Sequence, residues 1–206
     1  QRLWFLEQLY PANSTYHIAA AIELTGPLNS GYLQQSFRRI IARHESLRTA
    51  FIETADGARQ VIQAKVDWQL KELHISPAQL TSHLEKDAAT PFDLTAAPLI
   101  RAQLLHVAED KAVLSIVMHH IISDAWSSQI LLAEVSRIYS ALVQGVTPAF
   151  PAPKVQYVDF SQWQKEWLEQ AHCQQQRTFW QEKLAAVSNL QLACDYPRPA
   201  VMTQNG

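Results

Sequence analysis

The chain has 206 residues, 48% of them hydrophobic, with 17 basic and 19 acidic side chains and a formal charge of −2. That near-balance gives no electrostatic reason to expect nucleic acid or an anionic membrane as a partner, and the length can bury a sizeable core. No apolar run approaches the ~20 residues of a membrane span, and nothing at the start resembles a signal peptide. Two cysteines, Cys173 and Cys194, make a poor disulfide framework, so a cytoplasmic protein with reduced thiols is expected.

Gln1 leads directly into an apolar helical pattern (Leu3, Trp4, Phe5, Leu6, Leu9), and Gln204-Asn205-Gly206 closes the chain after a Pro-rich stretch. Neither end reads as a natural terminus, and a longer polypeptide is expected. Tyr16 to Leu24 predicts a buried strand closed by Gly26-Pro27. From Leu28 to Ser46, Leu33, Phe37, Ile40 and Ile41 recur at helical spacing, so an amphipathic helix follows. Ala50–Glu53 and Arg59–Gln63 flank Asp56-Gly57, a hairpin signal. Trp68 to Ile75 reads as another strand, and Ser76-Pro77 opens a helix to about Ala89. After the loop PFDLTAAP come two strands, Leu99 to Val107 and Ala112 to His119. A helix from about Asp124 to Gln144 carries Leu131, Val135, Ile138 and Leu142, and Gly145 stops it. Beyond a Pro-punctuated linker, one long helix is predicted from about Val158 to Ala186. Strands alternating with helices indicate a layered α/β domain.

The chemistry concentrates in VLSIVMHHIISDAWS, Val113 to Ser127. On a strand, Leu114, Ile116, Met118 and His120 share one face, and Ser115, Val117 and His119 share the other. The two adjacent histidines therefore have different jobs. Ser123 or Asp124 is suited to cap the following helix, where an acidic residue also suits the dipole. Imidazole accepts a proton near neutrality, so a histidine at a strand end beside a helix N-terminus is a candidate general base. A satisfied polar strand edge is the structural alternative. Metal binding is a third, weakened by the opposed faces and the lack of a nearby Cys or Glu set. Ser127 has no G-x-S-x-G elbow around it and reads as a first-turn hydroxyl.

His119-His120-Ile121-Ile122-Ser123-Asp124 fits the HHxxxD motif of the chloramphenicol-acetyltransferase-like superfamily. QRLWFLEQL (Gln1 to Leu9), RHESLRTAF (Arg43 to Phe51), MHHIISDAWS (Met118 to Ser127) and YVDFSQWQ (Tyr157 to Gln164) resemble, in order, the first four core motifs of nonribosomal peptide synthetase condensation domains. PFDL, PLIR (Pro98 to Arg101) and YPRP (Tyr196 to Pro199) also fall in the expected order. The resemblance covers essentially the whole chain.

It implies a two-lobed α/β fold, each lobe a sandwich, with an active-site tunnel between them. Residues 1–186 would be the N-terminal lobe, and 187–206 the crossover toward a missing C-terminal lobe. The implied reaction is acyl transfer between aminoacyl or peptidyl thioesters carried on phosphopantetheine arms, with no cofactor or metal bound by the domain itself. Implied partners are upstream and downstream peptidyl carrier proteins and the adenylation domain of the same synthetase. His120, the second motif histidine, takes the catalytic role as base or as orienter of the attacking amine. His119 and Asp124 support the site. Ala125 stands where the family usually has Gly, which either narrows the tunnel or is harmless in an ordinary helix turn.

Arg43 and Arg48 are candidate site residues whose structural reading is ion pairing, and His44 reads as a packed core histidine. Trp4, Phe5, Tyr157, Phe160 and Trp163 read as core or lobe-packing residues, and His17 carries no sign of function. A starter domain using a fatty acyl donor and a non-catalytic recruitment platform are the alternatives. The intact HHxxxD disfavours a heterocyclisation domain, and Ala125-Trp126-Ser127 disfavours an epimerisation domain. The 206 residues alone are expected to be inactive, since half of the tunnel wall is absent.

Overall fold

A computed structural model of the chain describes residues 2–9, 14–55, 57–188, 190, 192–193, 195–197 and 200. Gln1, Asp56, Cys194, the Arg198-Pro199 end of YPRP and the closing Gln204-Asn205-Gly206 lie outside them. The chain forms two compact units, 1–160 and 161–206.

The first unit is built on a four-stranded sheet of order β1-β6-β5-β4, formed by β1 (His17–Thr25), β4 (Lys71–His74), β5 (Ile100–Ala108) and β6 (Lys111–His119). β4 runs parallel to β5 and the other pairs are antiparallel. The expected hairpin forms as β2 (Thr49–Thr54) and β3 (Gly57–Ile62), with Gly57 opposite Thr54 at a φ of 98°, a conformation that suits glycine.

Alternation along β5 and β6 sends Ala102, Leu104, Leu114, Ile116 and Met118 to one face. There they meet Leu33, Phe37, Ile40 and Ile41 of α2 (Ser30–Arg43) and Leu131, Val135 and Ile138 of α4 (Ala125–Val143) in a single core. Each such side chain contributes about 1.5–3 kcal/mol on burial. The opposite face is covered by α3 (Leu80–Ala89), which packs on β1 and β6. The mixed α/β class expected from the alternating pattern is what forms.

Three local expectations change. The Tyr16–Leu24 segment makes a strand, but at the sheet edge, with Ala19, Ala20 and Ala21 exposed rather than buried. An alanine run is apolar by composition yet offers little area to bury, so the pattern overstated its depth. The Trp68–Ile75 strand is confined to Lys71–His74. Trp68 instead enters the core, stacked on Phe37 at 5.0 Å, its indole N–H donating to the Ile100 carbonyl at 3.1 Å. The helix expected from Ser76-Pro77 begins as a 3-10 turn (Pro77–Gln79) before α3.

The long helix predicted from Val158 to Ala186 is two helices, α5 (Tyr157–Leu168) and α6 (Ala171–Leu184). No proline or glycine marks the break. Gln170 turns extended, its carbonyl accepts the Cys173 and Gln174 N–H groups, and the Gln174 side chain donates to the Leu168 carbonyl at 3.0 Å. The open helix ends are thus satisfied locally. No helix among the described residues is long and apolar enough to cross a membrane.

Candidate active site

β6 ends at His119, held by its N–H to the Leu99 carbonyl at 3.0 Å. The next N–H, of His120, donates to the Tyr16 carbonyl at 2.7 Å, so the two histidines are anchored by backbone segments on either side. His119 is 0% exposed, on the α3 face as the alternation requires, whereas His120 is exposed just past the strand. The pair is therefore split between interior and solvent by one step of backbone.

The His119 ring accepts the Ile121 N–H on Nδ1 at 3.1 Å, and Nε2 faces Glu7 Oε2 at 3.6 Å. Glu7 comes from α1 (Arg2–Leu9) and is itself buried. The ring lies edge-on to His17, 5.8 Å away, and to Phe92, 6.2 Å away. Burial, then the positive charges available to His17 and His120, push the His119 pKa down to about 4, so it is neutral at physiological pH. Burial also lowers that of His17, whose Nδ1–H donates to the Ala88 carbonyl at 2.7 Å.

The turn after His120 folds back on His119, whose carbonyl accepts the Ile122 N–H and the Ser123 hydroxyl, each at 3.1 Å. Asp124 caps α4: its Oδ1 accepts the Ser127 N–H at 2.8 Å and the Ser127 hydroxyl at 2.6 Å. These two bonds hold the Asp124 carboxyl below its ordinary pKa. Of the two cap candidates Asp124 takes the role, and Ser127 is its first-turn partner. Ala125 opens the helix in ordinary helical conformation with its side chain exposed, so the residue does not need the left-handed freedom of glycine.

A cavity of about 110 Å³ lies against this turn, lined chiefly by Leu47, Met118, Ile122 and Leu131 with Ser123 and Ser127 at its polar side. Among the described residues no group of three or more His, Cys, Asp or Glu converges as metal ligands.

His44, Ser46 and Leu47 of the second motif line that cavity, while its two arginines are held in ion pairs. Arg43 Nε donates to Glu134 at 3.3 Å, and Arg48 donates to Glu45 at 3.1 Å and to the Gln63 carbonyl at 2.6 Å. Both make the ion pairs of their structural reading. His44 is half-buried rather than packed in the core, and its Nε2–H meets the same Glu134 at 2.6 Å. Of the five aromatics read as core or lobe-packing residues, Trp4 packs on the core, as do Phe51 and Phe92 of neighbouring motifs. Phe5, Tyr157, Phe160 and Trp163 are exposed, which corrects the core reading for those four.

Sequence reasoning missed the polar layer beneath His119. Asp87 of α3 is buried and accepts from Arg101 Nε at 3.0 Å, Gln103 Nε2 at 2.8 Å and the Ser115 hydroxyl at 2.9 Å. Arg101 also lies over the Phe92 ring at 4.2 Å, which joins PLIR to PFDL. The available signals were a lone Glu7 inside an apolar run and Ser115 and Gln103 inside otherwise apolar strands.

Comparison with known proteins accounts for the motif and its surroundings together. The family described as Condensation domain matches residues 1–206. The chain is 42% identical, over its full length, to one of the linear gramicidin synthase proteins of Brevibacillus parabrevis, while spanning 3% of that protein. Among solved structures, the starter condensation domain of rhizomide synthetase superposes with a TM-score of 0.82 at 26% identity, covering 91% of this chain and 46% of the other. The X-domain from teicoplanin biosynthesis, solved in complex with OxyB, superposes at 0.86 with 28% identity, over 97% of this chain and 45% of the other. A buried first histidine, an exposed second one, a capped helix behind them and a match along the whole chain have one explanation: the chain belongs to the condensation-domain family of nonribosomal peptide synthetases.

Proposed function

We propose that this chain contributes the catalytic histidine of peptide-bond formation, with residues 1–186 as the N-terminal lobe of the domain and 187–206 leading toward a second lobe. The observation that carries this reading is the split of the motif: His119 is buried and neutral, and His120 alone presents its ring to solvent at the strand end. The acceptor amine attacks the donor thioester carbonyl, the new C–N bond forms, and the C–S bond breaks. His120 takes the proton lost by the attacking nitrogen and returns it to the departing thiolate, or orients that nitrogen for attack. Base catalysis of this kind is worth ~10²–10⁴-fold, while holding two tethered reactants together contributes up to roughly 7–11 kcal/mol. Positioning is therefore the larger share.

The substrates are aminoacyl or peptidyl thioesters on phosphopantetheine arms, delivered by carrier proteins upstream and downstream and loaded by an adenylation domain. His119, Asp124, Ala125, Arg43 and Arg48 act as structure around the site, and the enzyme works in the cytoplasm. The test uses the intact two-lobed domain with loaded carriers. His120→Ala lowers dipeptide formation by about 10²-fold or more, and an unchanged yield overturns the reading.

The likeness to the X-domain that was solved with OxyB supports a second reading, a platform that recruits a partner enzyme. The intact His119, His120 and Asp124 favour catalysis over it. The likeness to a starter condensation domain leaves the donor class to a direct competition between fatty acyl and aminoacyl donors.

A further inference from the structure

Resting on that reading and going beyond it, we propose that Glu7 is a positioning residue whose carboxylate holds the His119 ring and, through it, the turn that presents His120. Glu7 is 6% exposed and His119 0%, so neither side chain is free to exchange its environment for water. Because the Ile121 N–H occupies Nδ1, the one proton of the neutral His119 ring sits on Nε2, the atom that faces Glu7 Oε2 at 3.6 Å. That separation is a few tenths of an ångström beyond a hydrogen bond, and holding the ring requires the two side chains to close that gap.

Most other polar groups around the ring are committed elsewhere, the exception being the buried His17 Nε2, which has no hydrogen-bond partner. His17, from β1, gives its Nδ1–H to the Ala88 carbonyl. Arg101, from β5 behind Phe92, donates to Asp87 and to the Thr90 carbonyl. His120 points to solvent. Glu7, from α1, is the acidic group that faces Nε2, with no hydrogen bond formed at this separation.

His119 is wired in turn to the residues that follow it. Its ring takes the Ile121 N–H, and its carbonyl takes the Ile122 N–H and the Ser123 hydroxyl. A ring that turns away from Glu7 releases Ile121 and loosens the segment on which His120 rides. Misplacing a reacting group by ~1 Å can cost ~10²-fold in rate without changing substrate binding. The chain thus uses its first motif to aim its third.

The experiment measures condensation and the imidazole ¹H–¹⁵N spectrum in the intact two-lobed domain with loaded carriers. Glu7→Leu lowers kcat by about tenfold or more with KM within about threefold, whereas Glu7→Gln, whose amide oxygen still accepts, recovers most of the loss. The slowly exchanging His119 Nε2–H signal is present in the wild type, displaced in Glu7→Gln and absent in Glu7→Leu. A folded Glu7→Leu domain with wild-type kcat, or with the protected signal intact, overturns the proposal. Should Glu7→Leu fail to fold, an undisplaced signal in Glu7→Gln overturns it equally. If His120→Ala leaves condensation unchanged while the signal still depends on Glu7, the proposed function fails and the link between Glu7 and His119 stands.

Discussion

The two faces of the sheet at β5 and β6 are both buried, but by different physics. Toward α2 and α4, Leu104, Leu114, Ile116 and Met118 meet other hydrocarbon side chains, and stability accumulates with area, largely independent of direction. Toward α3, Arg101, Gln103 and Ser115 converge on Asp87, and His119 packs against His17 and Phe92. That face depends on each donor finding its acceptor. A directional network holds a side chain at one angle, whereas an apolar core tolerates small rotations, and the motif's support histidine lies on the directional side.

The contrast is broken most severely at Asp87. Asp87→Ala leaves Gln103 and Ser115 without their shared acceptor and Arg101 without its carboxylate, and costs about 4 kcal/mol in urea denaturation of the intact domain, with Asp87→Asn less damaging. On the apolar face, Ile116→Ala leaves a cavity and costs about 3 kcal/mol, with no stranded polar partner and a smaller effect on condensation rate than Asp87→Ala.

Acid sharpens the same comparison. His119 titrates at about 4 in the fold against 6.5 in the unfolded chain, so between those values the unfolded chain binds the extra proton. Its contribution is complete above pH 6.5 and is lost as pH falls toward 4, about 3 kcal/mol in all. His119→Asn, which keeps an acceptor for Ile121, flattens the melting temperature against pH across that window. The smallest effect is at the helix cap: Asp124→Ala costs about 1 kcal/mol in thermal unfolding, and Asp124→Asn less.

Much of this was legible from residues in order. Helical spacing located α2 and α4, period-two alternation placed His119 and His120 in different environments, and the cap of α4 was narrowed to Ser123 or Asp124. Those features depend on contacts within a few residues, where backbone geometry leaves few choices. The same local reasoning overreached at the Ala19–Ala21 run and passed over the break at Gln170, because apolar composition does not report strand neighbours and a glutamine side chain can close a helix without a breaker residue.

The sequence by itself determined most of the elements, the motif and the division of its two histidines. Only the tertiary structure decided what each buried polar atom faces: Glu7 opposite His119, Asp87 beneath Arg101, Gln103 and Ser115, and His17 donating a hydrogen bond to the Ala88 carbonyl. Periodicity tells a residue which face it occupies, but a hydrogen bond across the fold is a matter of tenths of an ångström and of angle, set by how distant segments pack.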